Sequence, residues 1–511
     1  MIRRTQAATL LSFAVWAVFA HAAGSTLTYG LYGDPDTLDS AKMATDVALH
    51  PAWLICETLV NLSKDGQRVE PGLAESWTLS PDGLLATMTL RSGVKFHDGT
   101  RLDAEAVKLA FERHFRPGHA LYTDKPPNTR EQILRELVDT IQVQDASTIV
   151  FKFKYPGLPY LSQVDVISPT AAGRLGRDFG RQPVCSGPFK FESWTGNRLE
   201  VVANDGYWAG RPKLDRVIFR VFDEPSALVG AMVKGEVDFS PSIVDPMYFE
   251  KVRGSARVSL VRVPSLNVTH LGFITDQPPF NDPLVRRAVT HALDLPRITT
   301  FLGRGAAIPA RGPLPPAMKG YDPTVSQAPY DPAKGRALIA RAGYASGLTV
   351  PLVHHEGYTI HAELAGAIRS DLRRIGVTVD LVGKPTWGEL LSGIRAQSKG
   401  LFLSAWNVRG PYPERILFPL FHSRSLGTTN LTRYREPKLD SLLEAALRLP
   451  EGPEQQRTYR QAQQLIVDDC PMVVLYHAVR MAAIAERVQH LELNLGTLPY
   501  DKLGRVELTR R

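Results

Sequence analysis

Cysteine is scarce in this chain: Cys56, Cys185 and Cys470 are the only three in 511 residues. At most one disulfide can form, and the distant positions leave its pairing open, so the fold does not depend on a disulfide framework. Beyond the first two dozen residues no apolar run approaches the ~20 residues that a bilayer-spanning helix needs. Low-complexity tracts are missing, and no repeat period marks a solenoid. Motifs that carry chemistry are missing as well. There is no G-x-S-x-G turn to present a nucleophile and no G-x-x-x-x-G-K-[ST] loop to cradle phosphates. The stretch GRGAAI lacks the third glycine of a dinucleotide fingerprint, and VHHEGYTIH holds His354, His355, Glu356 and His361 without the H-E-x-x-H spacing of a zinc helix. Basic residues are scattered rather than gathered into a stripe, with Arg510 and Arg511 simply the tail, which speaks against nucleic acid. These absences favour a chain that is not an enzyme and has neither cofactor nor metal site.

What is present begins with an export signal. Arg3 and Arg4 precede an apolar run over residues 7–20, and Ala20-His21-Ala22 fits a small-x-small cleavage site, so residues 1–22 read as a secretory signal peptide. The two arginines lack the hydrophobic residues that follow them in a twin-arginine signal, which favours ordinary Sec export. No cysteine follows the run, so a lipid anchor has no attachment point. Losing the signal removes two arginines and no acids, and the formal charge falls from +8 to +6. The exported chain is mildly basic. At 44% hydrophobic and 22% charged it has a globular, soluble composition. Its length exceeds the ~250–300 residues at which one core stops growing, so two or three cores are expected.

Local patterns are mixed α/β. STLTYGLYGDPDTLDS alternates Leu27, Tyr29 and Leu31 before a Gly-Asp-Pro-Asp turn, as a strand does. LLATMTL and GVKFHDG read as further strands, and STIVFKFKY and KLDRVIFRVF alternate in the same way. DAEAVKLAFERHF has Asp103 as its N-cap, and EPSALVGAMVKGEVDF sets Pro225 at a helix start and Gly235 just past its end. DPLVRRAVTHALD repeats that device. ELAGAIRSDLRRIGVTVDLV carries the apolar stripe Leu364, Ile368, Leu372 and Ile375, with Gly376 stopping the helix before a strand. Helix–strand alternation takes over near residue 275, and strand-like sequence returns with MVVLY near 475.

One loop is unlike a surface turn. In WNVRGPYPE, residues 406–414, Trp406, Asn407, Arg409 and Tyr412 sit among Gly410, Pro411 and Pro413, which break any helix. An aromatic platform with an amide, a guanidinium and a phenol is the mixture that small-molecule pockets use.

Two stretches carry a resemblance to a known family. LAESWTLSPDGLLATMTLRSGVKFHDGTRLDAEAVKLAFER, residues 73–113, and CSGPFKFESWTGNRLEVVANDGYWAGRPKLDRVIFRVF, residues 185–222, resemble two blocks of the family 5 extracytoplasmic solute-binding proteins, the peptide and nickel receptors of ABC importers. The likeness continues through FNDPLVRRAVTHALD, YDPAKGRALIARAGY and DDCPMVVLY. It implies an α/β, two-lobed periplasmic-binding-protein fold of the large, type II-like kind with an extra subdomain, its lobes joined by crossing strands at a hinge. The expected lobes are residues 23–275 with 475–511, and residues 276–474. The implied function is that of a monomeric periplasmic receptor. It captures a peptide or peptide-like solute in the cleft, closes by hinge motion, and delivers the solute to inner-membrane permease subunits served by cytoplasmic ATPases.

In dipeptide-binding members of that family the tryptophan loop carries an Asp for the ligand's amino terminus, and the loop before the long helix carries an Arg for its carboxylate. On this pattern the Asp position falls on Arg409 and the Arg position on or near His355. An arginine holds carboxylates or phosphates by its fork of donors and repels an ammonium group. An anionic or strongly polar group of the solute is therefore expected at Arg409, with Trp406 as a stacking wall and His355, Asn407, Tyr412 and Asn430 as further contacts. Glu356, beside His355, is the candidate partner for an amine. Nickel receptors of the family keep a tryptophan in this loop and hold their metal through a small carboxylate-rich carrier, so a receptor for a metal carrier is the alternative. An exported hydrolase on the same scaffold is the reading of another class, and no nucleophile–base pair is visible for it.

Overall fold

The computed structural model describes residues 25–43, 45–119, 121, 134–241, 243, 246–303, 305–408, 410–495 and 498–509. The signal-peptide residues 1–22 and Arg409 lie outside the described residues.

One mixed sheet of eleven strands runs through both halves of the molecule. The first half supplies β1 (Thr26–Tyr32), β2 (Phe189–Thr195), β3 (Arg198–Ala203), β4 (Arg216–Phe222) and β5 (Phe239–Ser240). The long strand β6 (Val258–Phe273) leads into the second half, which adds β7 (Leu348–His355), β8 (Val377–Lys384) and β9 (Leu401–Trp406) before β10 (Met472–Ala485) returns. Their order across the sheet is β2-β3-β4-β1-β5-β10-β6-β9-β7-β8, with the short strand Ala307–Pro309 pairing on β10. The alternation read in the first strand buries Leu27, Tyr29 and Leu31, and the Tyr29 ring packs 4.8 Å from Phe219 and 4.6 Å from Phe239.

The antiparallel pair β6 and β10 carries the chain between the halves. Residues 258–264 pair with 479–485, and residues 268–272 pair with 472–477. Between these two ladders the register slips, leaving Ser265, Leu266 and Asn267 opposite Ala478. Such a bulge bends a strand and re-aims its side chains. It faces the cavity described below.

A separate four-stranded antiparallel sheet, built from Ala74–Leu79, Leu85–Leu90, Thr148–Phe153 and Val138–Val143, sits in the first half. Helix Ala104–Glu112 covers it, capped by Asp103, whose carboxylate accepts from the Ala106 N–H at 3.0 Å, and Phe111 meets Phe151 with ring centres 5.0 Å apart. GVKFHDG is not the strand its pattern suggests. Gly99 N–H donates to the Phe96 carbonyl, and the Asp98 carboxylate accepts from Thr100, so local hydrogen bonds take the groups a ladder would use. Cys56 and Cys185 form a disulfide, and Cys470 is free and buried.

In the second half β7 lies between β9 and β8, parallel to both. Helix α1 (Thr359–Arg373) packs Leu364, Ile368 and Leu372 with Leu352 on one face of that sheet. Helix α2 (Trp387–Ala396) packs Leu390 and Ile394 with Val353 on the other. Neighbouring residues of one strand point to opposite faces, so the two crossovers run on opposite sides. Gly376, at φ +85°, ends the α1 segment as its position predicts.

Candidate functional site

A cavity of about 1330 Å³ opens where the two halves meet. Its walls come from the β6 bulge (Ser265, Leu266, Asn267), from the end of β9 (Trp406, Asn407), from Tyr160 and Gln163 of the first half, and from Glu414 and Arg415. Those last two open helix α3 (Glu414–Phe421). The volume exceeds the ~300–1,000 Å³ typical of pockets for drug-sized ligands.

The loop between β9 and α3 holds the wall in place. Trp406 donates its indole N–H to the Arg415 carbonyl at 2.8 Å, which closes the loop on itself and fixes the ring. Tyr412 is buried and belongs to the same apolar cluster as the first half's core, its ring 5.1 Å from that of Tyr160. Tyr160 donates its hydroxyl to the Glu414 carboxylate, and Tyr459 donates to the same group at 3.1 Å. Arg415 donates to the Gln163 side-chain oxygen, and its guanidinium lies 5.2 Å from the Tyr160 ring centre. Four of these contacts join residues of the first half to residues of the second. Burial, with the Glu414 charge nearby, pushes the phenols of Tyr160, Tyr412 and Tyr459 well up, so all three remain neutral.

The residues singled out from sequence divide by position. Trp406 and the exposed Asn407 line the cavity. Tyr412 lies behind the wall, and among the described residues its hydroxyl has no hydrogen-bond partner. Asn430 is fully buried within its own loop; its amide donates to the His422 and Tyr434 carbonyls and its oxygen accepts from Thr432. With its polar atoms engaged this way it shapes the 422–434 turn instead of lining the cavity. His355 is also off the cavity wall, buried at the carboxyl end of β7 with its ring 5.1 Å from Trp387. His361 lies 5.2 Å from the same indole, and burial pushes its pKa down to about 4. This ring group sits where the α1 and α2 crossovers diverge, the crevice at which open α/β sheets characteristically bind ligands. Among the described residues no cluster of three or more His, Cys, Asp or Glu could hold a metal ion.

Sequence reading missed Tyr160, Gln163, Arg415 and the bulge. Arg415 directly follows the quoted loop, and a helix start after Pro413 was its available signal. Tyr160 and Gln163 sit in a 3₁₀ segment, Leu158–Gln163, whose sequence has no periodicity to mark it.

Comparison with known proteins bears on the whole chain. The model of the family described as bacterial extracellular solute-binding proteins, family 5 middle, matches residues 68–428. Heme-binding protein A of Haemophilus influenzae is 28% identical over 458 residues, covering 84% of this chain and 83% of that one. Di/tripeptide-binding protein 2 of Pseudomonas aeruginosa is 26% identical over 507 residues, covering 94% of each. The solved structure of HbpA2 from Haemophilus parasuis superposes with a TM-score of 0.86 at 24% identity, over 95% of this chain and 100% of that one. That likeness shows the two-lobed α/β fold of periplasmic binding proteins.

Proposed function

The chain belongs to the bacterial extracellular solute-binding proteins of family 5, and from that premise we propose that it is the periplasmic receptor of an ABC importer for a peptide or peptide-like solute. The observation that carries this reading is the cavity between the halves, walled by an indole, amides and charged groups from both. The proposed lobes are residues 23–275 with 475–511, and residues 276–474, so that β6 and β10 form the hinge. Closure then encloses the solute, and the closed form engages the permease subunits. Trp406 and Asn407 are the proposed solute contacts of the tryptophan loop, and Arg409 faces the same role. The receptor acts as a monomer, exported by residues 1–22. Among the described residues no helix is long and apolar enough to cross a membrane. Similarity to the di/tripeptide-binding protein 2 of Pseudomonas aeruginosa supports the solute class.

The test is to purify the receptor from its native compartment without unfolding, record its native mass, then denature it and identify what is released. Short peptides are the expected result. A single non-peptide compound, or a metal with its carrier, overturns the solute class.

A further inference from the structure

Arg415 is a half-buried cation without a counter-ion. Its Nη2 is spent on the neutral Gln163 oxygen, and its Nε is buried with no hydrogen-bond partner. Among the described residues no carboxylate pairs with it. The adjacent Glu414 takes its hydrogen bonds from Tyr160 and Tyr459 instead. An uncompensated cation drawn out of water is costly, and proteins rarely leave one in place without a partner. Three other cations at this cavity have carboxylate partners: Lys64 meets Glu492 at 2.9 Å, and Arg424 and Arg448 share Glu444 at 3.0 and 3.7 Å. The described lining holds seven Lys and Arg against five Asp and Glu, so the missing charge is negative. Position agrees with chemistry, because the Arg415 carbonyl anchors the Trp406 indole and places both residues on one stretch of wall.

We propose that the solute carries an oxyanion, a carboxylate or a phosphate, that accepts hydrogen bonds from the Arg415 guanidinium beside the Trp406 ring. This rests on the cavity being the solute site. It gives the anionic group a partner that the fold positions from both halves: Gln163 and Tyr160 belong to one and Arg415 to the other. Arg415 is thereby a specificity-determining residue, and the fork of its guanidinium selects planar or tetrahedral oxyanions over amides.

The experiment is calorimetric titration of the exported receptor with four probes: tetra-alanine, its C-terminal amide, that amide carrying one phosphoserine, and citrate. The expected result is binding of tetra-alanine or the phosphopeptide at least tenfold tighter than the plain amide, and which of the two it is identifies the oxyanion. Arg415→Gln weakens the anionic probe by roughly 10- to 100-fold, the scale of hydrogen bonds to a charged group, and leaves the amide unchanged. Arg415→Lys, which keeps the charge and loses the fork, retains part of the preference. Melting temperatures of both variants check that they fold. The proposal is overturned if wild type prefers the amide, if Arg415→Gln keeps the preference, or if it weakens both peptides equally, as a purely structural residue would. Binding of citrate alone, lost in Arg415→Gln, upholds the oxyanion and overturns the peptide reading. A folded receptor that binds none of the four overturns both.

Discussion

Glu57 and Glu414 have similar surroundings and opposite outcomes. Glu57 is buried in the first half and accepts from Ser186 at 2.8 Å, Tyr207 at 2.9 Å and the Trp208 indole at 3.0 Å. Its cation is Lys502, which donates to the Trp53 and Cys56 carbonyls and lies 4.0 Å from the Trp53 ring centre. Burial pushes the Glu57 carboxyl up and the Lys502 ammonium down to about 8, so both feel desolvation, yet their hydrogen bonds all come from the protein. Glu414 likewise gathers tyrosines, but the cation next to it lines the cavity and keeps a buried Nε that has no hydrogen-bond partner among the described residues. The first network closes on itself and fastens the chain's last segment to the disulfide region. The second, on the proposal above, is completed by the oxyanion of the solute. Satisfaction, not composition, separates a structural staple from a binding wall.

The largest expected effect sharpens that contrast from the structural side. Lys502→Met should cost about 3–5 kcal/mol, because the buried Glu57 loses its nearby cation and keeps only neutral hydrogen-bond donors. Urea unfolding measures it, while the solute affinity of the folded fraction stays unchanged. A variant that loses affinity at full stability breaks the comparison. Next comes the disulfide, whose two cysteines immediately neighbour Glu57 and Ser186 in sequence. Replacing Cys56 and Cys185 by serine releases a link across 129 residues, for an expected loss of about 2–5 kcal/mol in non-reducing unfolding.

On the cavity side, Tyr160→Phe removes one donor from Glu414 and one contact between the halves. An affinity loss of about 1.5 kcal/mol is expected, seen by calorimetry with little change in melting temperature; a fall in stability alone would assign this network to the staple class. The smallest effect is read in pH. His361 holds a value of about 4 in the folded chain against the ordinary 6.5, through burial first and then its neighbours His355, His270 and His354. The unfolded chain takes up this proton as pH falls below 6.5, while the folded chain does not. Stability from the neutral ring is therefore present above pH 6.5 and lost as pH falls toward 4. His361→Gln should flatten the stability curve in that window by at most one proton's slope, and an unchanged slope would assign the acid sensitivity to other groups.

Much of the local fold was legible in sequence because it is written in short-range physics. Asp103 as an N-cap, Pro225 at a helix start and Gly235 past its end act within one turn, and the structure places each as read. GVKFHDG failed because side-chain hydrogen bonds of Asp98 compete with a ladder, which alternation does not reveal. At the site, Trp406 and Asn407 were legible as residue types on an unusual loop. Asn430 instead spends its amide on the His422 and Tyr434 carbonyls and accepts from Thr432, and only such partners tell a buried amide from a ligand-binding one. Arg415 was passed over because its missing counter-ion is a fact about space.

By itself the sequence determined the α/β class, several helix ends and the family, since hydrophobic period, caps and motif blocks are local and survive without coordinates. Tertiary structure decided which cysteines pair, where β6 bulges, which aromatic residues face the cavity and which cation stands unpaired. Those outcomes depend on residues 129 and 252 positions apart meeting in space, and no pattern along the chain encodes the hydrogen bonds a group finds after it is buried.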